Sequence, residues 1–254
     1  MLVSPFGVAL TLALLLLVVW TDRELRSHGG SLLDRPMLVL GMLGGAALGG
    51  RGHYLLESWL AGVPPRTLVR LASPFVSGTT FFGAASGAVA VLVLMRRWLP
   101  RGGLPVFADA LVWGTAGAIF VGRIGCLVQG CCLGIPIHAP WGLHSPIPAW
   151  SGREDLVSRQ PFALYIGVWA VLSAALAWRW TRRKPSGQRF LAFVALFAAG
   201  RFPLEFLRDH PEGGVFPSLQ QWESVILLVV ALSALLLDRL RPAAGRIAGA
   251  RGQL

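Results

Sequence analysis

Seven apolar runs limit what this chain can fold into. They lie at about residues 5–20, 36–60, 75–95, 105–122, 161–178, 189–207 and 217–237. Each approaches the ~20 residues that a helix needs to cross ~30 Å of hydrocarbon. Apolar residues make up 54% of the 254-residue chain and charged residues 14%, whereas a soluble domain carries about 25% charge. Any water-soluble fold of this composition would expose too much apolar surface. Lipid is therefore the solvent, and the runs are read as helices, because a spanning segment must satisfy its own backbone hydrogen bonds. The expected architecture is an all-α, polytopic membrane protein with about seven transmembrane helices. Six is the alternative count, since Arg201 and Glu205 fall within the sixth run. The first run is read as a retained span: no positive residue precedes it, and no small-residue cleavage site follows Trp20.

Basic residues set the expected orientation. Arg23, Arg26 and Arg35 follow the first run, and Arg96, Arg97 and Arg101 the third. Arg179, Arg182, Arg183, Lys184 and Arg189 follow the fifth, and Arg239, Arg241, Arg246 and Arg251 the seventh. These are fifteen of the 23 basic residues. The positive-inside rule then places the N-terminus outside, the C-terminus in the cytoplasm and the segment after Gly122 outside. The net charge of +11 lies mostly in short cytoplasmic loops, which points to anionic lipid headgroups as partners and not to nucleic acid. Residues 1–241 read as one membrane domain and 242–254 as a basic cytoplasmic tail that frays. No internal repeat is evident, which argues against a transporter built from duplicated halves.

Against this apolar background, the charged residues near helix ends stand out. Gly122–Gly134 reads GRIGCLVQGCCLG and sets Arg123 at the end of an apolar run, beside a glycine-rich stretch read as a loop. An arginine at a membrane boundary calls for an anionic partner or a task. The sixth run ends GRFPLEFLRDHPE. There Arg201 and Glu205 are four apart and share a helix face, with Arg208 three beyond. Either Glu205 neutralises and orients the arginines, or one guanidinium remains to grip an anion; the planar fork of arginine suits phosphate. Pro203 removes a backbone donor and can open the helix there. Arg51 closes the small-residue stretch GGAALGG of the second run, and could equally be an interfacial arginine reaching for water.

Other residues carry weaker signals. Gly78, Gly83 and Gly87 in SGTTFFGAASG permit close packing, with Phe81 and Phe82 as an apolar wall. Cys126, Cys131 and Cys132 lack zinc-site spacing, and any disulfide would leave one over, so they are read as packed thiols with no metal and no cofactor. His28, His53 and His210 are read as solvated or interfacial. The long connection at 133–160 is dense in proline and tryptophan, and is expected to be an ordered interfacial loop that shapes a site.

In this order and at these intervals, the motifs resemble the prolipoprotein diacylglyceryl transferase family of bacterial inner membranes, over nearly the whole chain. The family signature GRxxNFxxGxxxG matches Arg123, Gly130 and Gly134. RFxxE…R matches Arg201, Phe202, Glu205 and Arg208. An arginine–tyrosine element matches Gly50, Arg51 and Tyr54, and Q-x-x-S matches Gln221 and Ser224. QPFALY, with Pro161, Leu164 and Tyr165, is similar to the family HPxQLYE. The resemblance implies a seven-helix enzyme that moves diacylglyceryl from phosphatidylglycerol to the lipobox cysteine thiol of a prolipoprotein signal peptide, releasing a glycerol phosphate. It implies catalytic roles for Arg123, Arg201 and Glu205. Substrate contacts would come from Arg51, Tyr54, Gly83, Gly130, Gly134, Tyr165, Arg208 and Gln221.

Four positions depart from the family pattern. Phe82 stands where the family SFHGG motif has its catalytic histidine, Phe6 replaces a tyrosine, Cys126 an asparagine and Gln160 a histidine. The leaving phosphate retains its arginines, but the thiol, with a pKa near 8.5, still needs a proton acceptor or a positive field. His138, His144 and Glu205 are the candidate bases. The alternative is a paralogue that binds anionic phospholipid or a lipoprotein precursor without turnover.

Overall fold

The computed structural model describes residues 5–60, 62–64, 66–67, 80–99, 103–130, 132–143, 158–182, 187–209 and 217–240. Among them are seven α-helices: α1 (Pro5–Arg26), α2 (Pro36–Leu60), α3 (Phe81–Leu94), α4 (Gly103–Gln129), α5 (Phe162–Thr181), α6 (Gln188–Leu204) and α7 (Leu219–Leu240). No strand occurs among the described residues. Each helix overlies one of the apolar runs. Four are long and apolar enough to cross a membrane: α4, α5, α6 with its extension to Leu207, and α7 to Asp238. Leucine, valine and isoleucine side chains such as Leu48, Leu94, Val128, Val229 and Leu237 point outward, an arrangement stable only where lipid replaces water.

Two boundaries differ from expectation. The fourth helix does not stop at Gly122 but runs through Arg123 and Cys126 to Gln129, so the first half of the signature is helix and not loop. With no water to satisfy exposed backbone groups, glycines at 122 and 125 stay in the helical ladder. The chain turns only at Gly130, whose φ of +71° suits a residue without Cβ. The third helix begins at Phe81, capped by Thr80, whose hydroxyl accepts from the Gly83 N–H. The expected start near residue 75, and Gly78, lie outside the described residues, as do His144, His210, Cys131 and the tail from 241.

The chain forms two compact units, Met1–Thr21 with Ala108–Leu254, and Asp22–Phe107. In the first, α6 packs on α5 and on α7. Its core joins Val112, Ala116 and Ile119 of α4, Phe162, Ile166, Ala170, Ala174 and Ala177 of α5, and Ala192 and Phe193 of α6. The alanine stripe of α5 lets neighbouring backbones approach closely, which is how helices gain contact where lipid offers no hydrophobic drive. One end of this unit carries tryptophans. Trp113 lies 6.4 Å from Trp20 and 6.3 Å from Trp178 between ring centroids, and the Arg189 guanidinium lies 4.0 Å over Trp178. At the same end Asp109 of α4 accepts from the Gly187 and Phe190 N–H groups, at 2.8 and 2.9 Å, capping α6.

In the second unit α2 packs along α3. Gly45 and Gly49 face Gly87 so closely that a Cβ on Gly87 would lie 2.9 Å from Gly49 Cα. The connection from α1 to α2 is gathered around Asp22, which lies beyond the apolar run of α1. Its carboxylate accepts from Arg26 Nε at 2.6 Å, Ser31 Oγ at 2.8 Å, and the Leu32 and Leu33 N–H groups at 2.8 and 3.1 Å. Burial works to raise the Asp22 carboxyl, but Arg26, the backbone of Leu33 and Leu32, and Ser31 outweigh it and hold it at about 2.

Candidate functional site

The site in the first unit lies at the end opposite the tryptophans, where α4 ends, α5 begins, α6 ends and α7 begins. It is assembled around the C-terminus of α6. Pro203 takes away one backbone donor, and the helix tightens into a 3₁₀ turn at Glu205–Leu207. Glu205 therefore points inward at a change of helix pitch, and its side chain is wholly buried. Arg201 donates to one of its oxygens, and Arg208 Nη1 donates to the other at 3.1 Å. The spacing of four and three residues brings all three side chains together, as the sequence implies. Exposure rises from 0% at Glu205 through 11% at Arg201 to 30% at Arg208, so the guanidiniums and not the carboxylate meet an incoming molecule.

Arg123 adds a further positive charge. Its electrostatic field reaches Arg201, as does that of Arg208. Arg123 Nη1 donates to Cys132 Sγ at 3.7 Å, a weak hydrogen bond. Cys132, read from the sequence as a packed thiol, is thus half-buried against the arginine, with an unusual φ of +57°. Arg201 also lies 5.5 Å over the ring of Phe162, the first residue of α5. Two guanidiniums thus hold one carboxylate, a third acts electrostatically on Arg201, and the group keeps an excess of positive charge at the end of a helix bundle.

Backbone pairing fixes the rim of this site. The Gly134 N–H donates to Gln160 O at 3.1 Å and the Ile135 N–H to Leu207 O at 3.0 Å, while the Asp209 N–H donates to Leu133 O at 3.0 Å. Residues 133–135 are therefore threaded between 160 and 207–209. A Cβ on Gly134 would lie 2.7 Å from Gln160 O and 2.9 Å from Leu207 O, so only glycine fits. Gly130 and Gly134 shape the chain here and carry no chemistry of their own. In the described part of the 133–160 connection, Leu143 pairs with Arg159 in both directions, at 2.8 and 3.0 Å.

Arg159 carried no signal in the sequence reading. It is 4% exposed and donates to Asp209 at 2.6 Å, tying the connection to the end of α6. Its partner is fifty residues away, so no local spacing announces the pair. Gln221 proves to be a cap. Its Oε1 accepts from the Ser218 N–H at 2.8 Å while its own N–H donates to Ser218 Oγ at 3.3 Å, a capping box that starts α7. Its Nε2 reaches Phe202 O at 3.5 Å, joining α7 to α6 beside the arginines. Tyr165 is half-buried in the first turn of α5.

Arg51, Tyr54 and Gly83 belong to the second unit. Arg51 and Tyr54 are half-buried on α2. Gly83 is buried against Thr80 and His53. His53 is only 20% exposed by side chain, with its Nδ1 3.0 Å from Thr80 Oγ1 and 3.5 Å from Glu57 Oε1. His53 is more sheltered than a solvated residue, because the glycine stripe of α2 and α3 draws the two helices together around it. Among the sequence's candidate bases, Glu205 is committed to two arginines, and His138 is exposed on the connection.

The family model for prolipoprotein diacylglyceryl transferase matches residues 1–237. A protein of Clostridium tetani called phosphatidylglycerol–prolipoprotein diacylglyceryl transferase is 28% identical over 93% of this chain and 93% of its own length. One of Clostridium perfringens, called phosphatidylglycerol–prolipoprotein diacylglyceryl transferase 2, is 29% identical over 72% of this chain and 70% of its own. A Streptomyces coelicolor protein of that same name is 33% identical over 67% of this chain and 55% of its own. With a match that extends from α1 almost to the end of α7, this chain belongs to the prolipoprotein diacylglyceryl transferase family.

Proposed function

We propose that this chain transfers the diacylglyceryl group of phosphatidylglycerol to the thiol of a lipobox cysteine in a prolipoprotein signal peptide, as a multi-pass enzyme of a bacterial inner membrane. The observation that carries the reading is buried Glu205 held by Arg201 and Arg208, with Arg123 acting on Arg201. The thiolate sulfur attacks the glyceryl carbon, the carbon–oxygen bond to phosphate breaks, and the electron pair leaves with a glycerol phosphate. A phosphodiester carrying one negative charge becomes a monoester carrying about −1.5 to −2. A fixed positive excess therefore binds the transition state more tightly than the substrate, which is what lowers a barrier.

In this reading Arg123 and Arg201 hold the phosphate, and Glu205 orients Arg201. Arg208, 30% exposed, meets the glycerol phosphate as it leaves. Motif position assigns further substrate contacts to Arg51, Tyr54, Gly83 and Tyr165. Gly130, Gly134 and Gln221 support the rim by backbone shape and capping. All seven helices are read as spans, with the N-terminus outside and the C-terminus cytoplasmic. The arginine cluster then faces outward, and Trp20, Trp113, Trp178 and Arg189 lie at the inner surface.

The test is release of glycerol phosphate and formation of a thioether when the purified protein, in phosphatidylglycerol nanodiscs, meets a lipobox-cysteine peptide. The wild type is expected to turn over, and Arg123→Ala and Arg201→Ala to lose about 10²–10³-fold, the range for removing one electrostatic stabiliser. Retention of phosphatidylglycerol without release of glycerol phosphate would make the chain a lipid-binding relative instead.

A further inference from the structure

The Asp22–Phe107 unit holds a cavity of its own. About 610 Å³ in volume, it lies between the end of α1, the turn that follows, the start of α2 and Trp98. Sites that take small molecules have volumes of roughly 300–1,000 Å³. The apolar run of α1 is over before Asp22, and that of α2 begins at Pro36. Arg35 Nη1 donates to Trp98 O at 2.7 Å, which brings the residues after α3 to the same place. The cavity therefore sits where hydrocarbon gives way to water. Met37 and Trp98 are exposed in its wall, and an indole at that depth belongs among lipid headgroups.

Three charged side chains line the cavity: Arg26, Asp34 and Arg35. Arg26 is held by Nε on Asp22 at 2.6 Å and by Nη2 on Ser31 Oγ at 3.5 Å. Arg35 is held by its bond to Trp98 O. A guanidinium has five N–H donors, so both keep donors for an anion, and side chains already held lose less freedom on binding. Asp34 is exposed and acts on Arg26 electrostatically. Its bond to Ser31 Oγ, at 3.3 Å, is made by the main-chain N–H, which leaves the carboxylate to a cation. Asp22 and Asp34 balance the two arginines, so a purely anionic ligand gains little net attraction here. A ligand carrying both signs uses every charge.

We infer that this cavity binds the headgroup of a phosphoethanolamine lipid: Arg26 and Arg35 donate to its phosphate, and Asp34 accepts from its ammonium. The planar guanidinium matches phosphate oxygens. A primary ammonium offers three donors to a carboxylate, whereas a trimethylammonium offers none. On the orientation read from the basic residues, the lipid belongs to the cytoplasmic leaflet. The site asks nothing of the arginine cluster around Glu205 and stands whether or not the chain is a transferase.

The experiment offers phosphatidylethanolamine and phosphatidylcholine of the same acyl chains to the delipidated full chain in detergent, and reads retained lipid by native mass spectrometry. Wild type is expected to prefer phosphatidylethanolamine about tenfold or more, the scale of one hydrogen bond between charged groups. Asp34→Asn should bring the two lipids to parity, and Arg35→Gln should weaken retention of phosphatidylethanolamine about tenfold. Thermal midpoints in lipid-free detergent should match wild type for both variants. No preference in wild type, or an undiminished preference in Asp34→Asn, would overturn the inference. Loss of phosphatidylglycerol but not of phosphatidylethanolamine in Arg35→Gln would overturn it in favour of an anionic-lipid site. Glycerophosphoethanolamine, the headgroup without its chains, should compete only weakly; binding as tight as that of the lipid would assign the cavity to a soluble phosphate ester instead.

Discussion

Glu205 is the residue on which the arginine cluster depends. It is fully buried, and both of its oxygens accept from guanidiniums. Removing one partner of a buried ion pair typically costs about 3–5 kcal/mol, because the other charge remains buried. Glu205→Gln keeps the shape but leaves Arg201 and Arg208 without their anion. It is expected to lower the thermal midpoint in detergent, read by tryptophan fluorescence, and to abolish measurable turnover. Arg201→Lys keeps the charge and loses the planar fork. It should leave the midpoint near wild type while reducing turnover by about tenfold or more. The 4 and 3 spacing of Arg201, Glu205 and Arg208 made this cluster legible in the sequence. The Arg159–Asp209 pair was not legible, because its partners meet only after the chain has passed through α5 and α6.

Asp22 yields a prediction with a definite sign. Its carboxyl is held at about 2, below the ordinary 3.8. A depressed carboxyl contributes stability that is present above the unfolded value and is lost as pH falls through the folded one. The window is therefore roughly pH 4 down to 2. Asp22→Asn removes an ionic acceptor serving four donors, and should cost about 2 kcal/mol at neutral pH. The variant should also flatten the fall in thermal midpoint across that window, which a pH series on both proteins would read directly.

At the scale of elements, glycine and tryptophan set the distances between helices. Gly45, Gly49 and Gly87 hold α2 on α3, and Trp169 of α5 lies against Gly200 of α6, donating its indole N–H to Leu196 O and Phe197 O at 3.2 Å each. Gly45→Leu would collide with Val91 and with the carbonyl of Gly87, which lies 2.6 Å from the added Cβ. Overpacking of this kind costs about 1–3 kcal/mol. The variant is expected to be destabilised, with a thermal midpoint in detergent below that of wild type. Composition made these elements legible, since small residues in an apolar run imply close helix contact. The end of α4 was less so: the glycine-rich stretch after Gly122 read as a loop, whereas the helix continues through Gly125 to Gln129, because the lipid demands internal hydrogen bonds.

At the scale of the whole molecule, the question is how many helices cross the bilayer. Four meet the length and hydropathy expected of a span. Of the others, α2 carries Arg51, His53 and Glu57 near its end, and α3 has only 14 residues. Polar residues gathered at one helix end lie within reach of the interface, so they do not prevent α2 from spanning. Seven spans put the two termini on opposite sides, whereas six put them on the same side. Reporter fusions separate the two. A reporter active only outside the membrane should work when fused after Gly62 and after Gly142, and one active only in the cytoplasm should work after Gly30, Arg97, Arg182 and the C-terminus. A cytoplasmic position for Gly142 would reverse the side on which Arg123 and Arg201 meet the lipid. The fusion after Gly142 tests this most directly, because the paired backbone at residues 133–143 belongs to the rim of the arginine site and must share its side of the membrane.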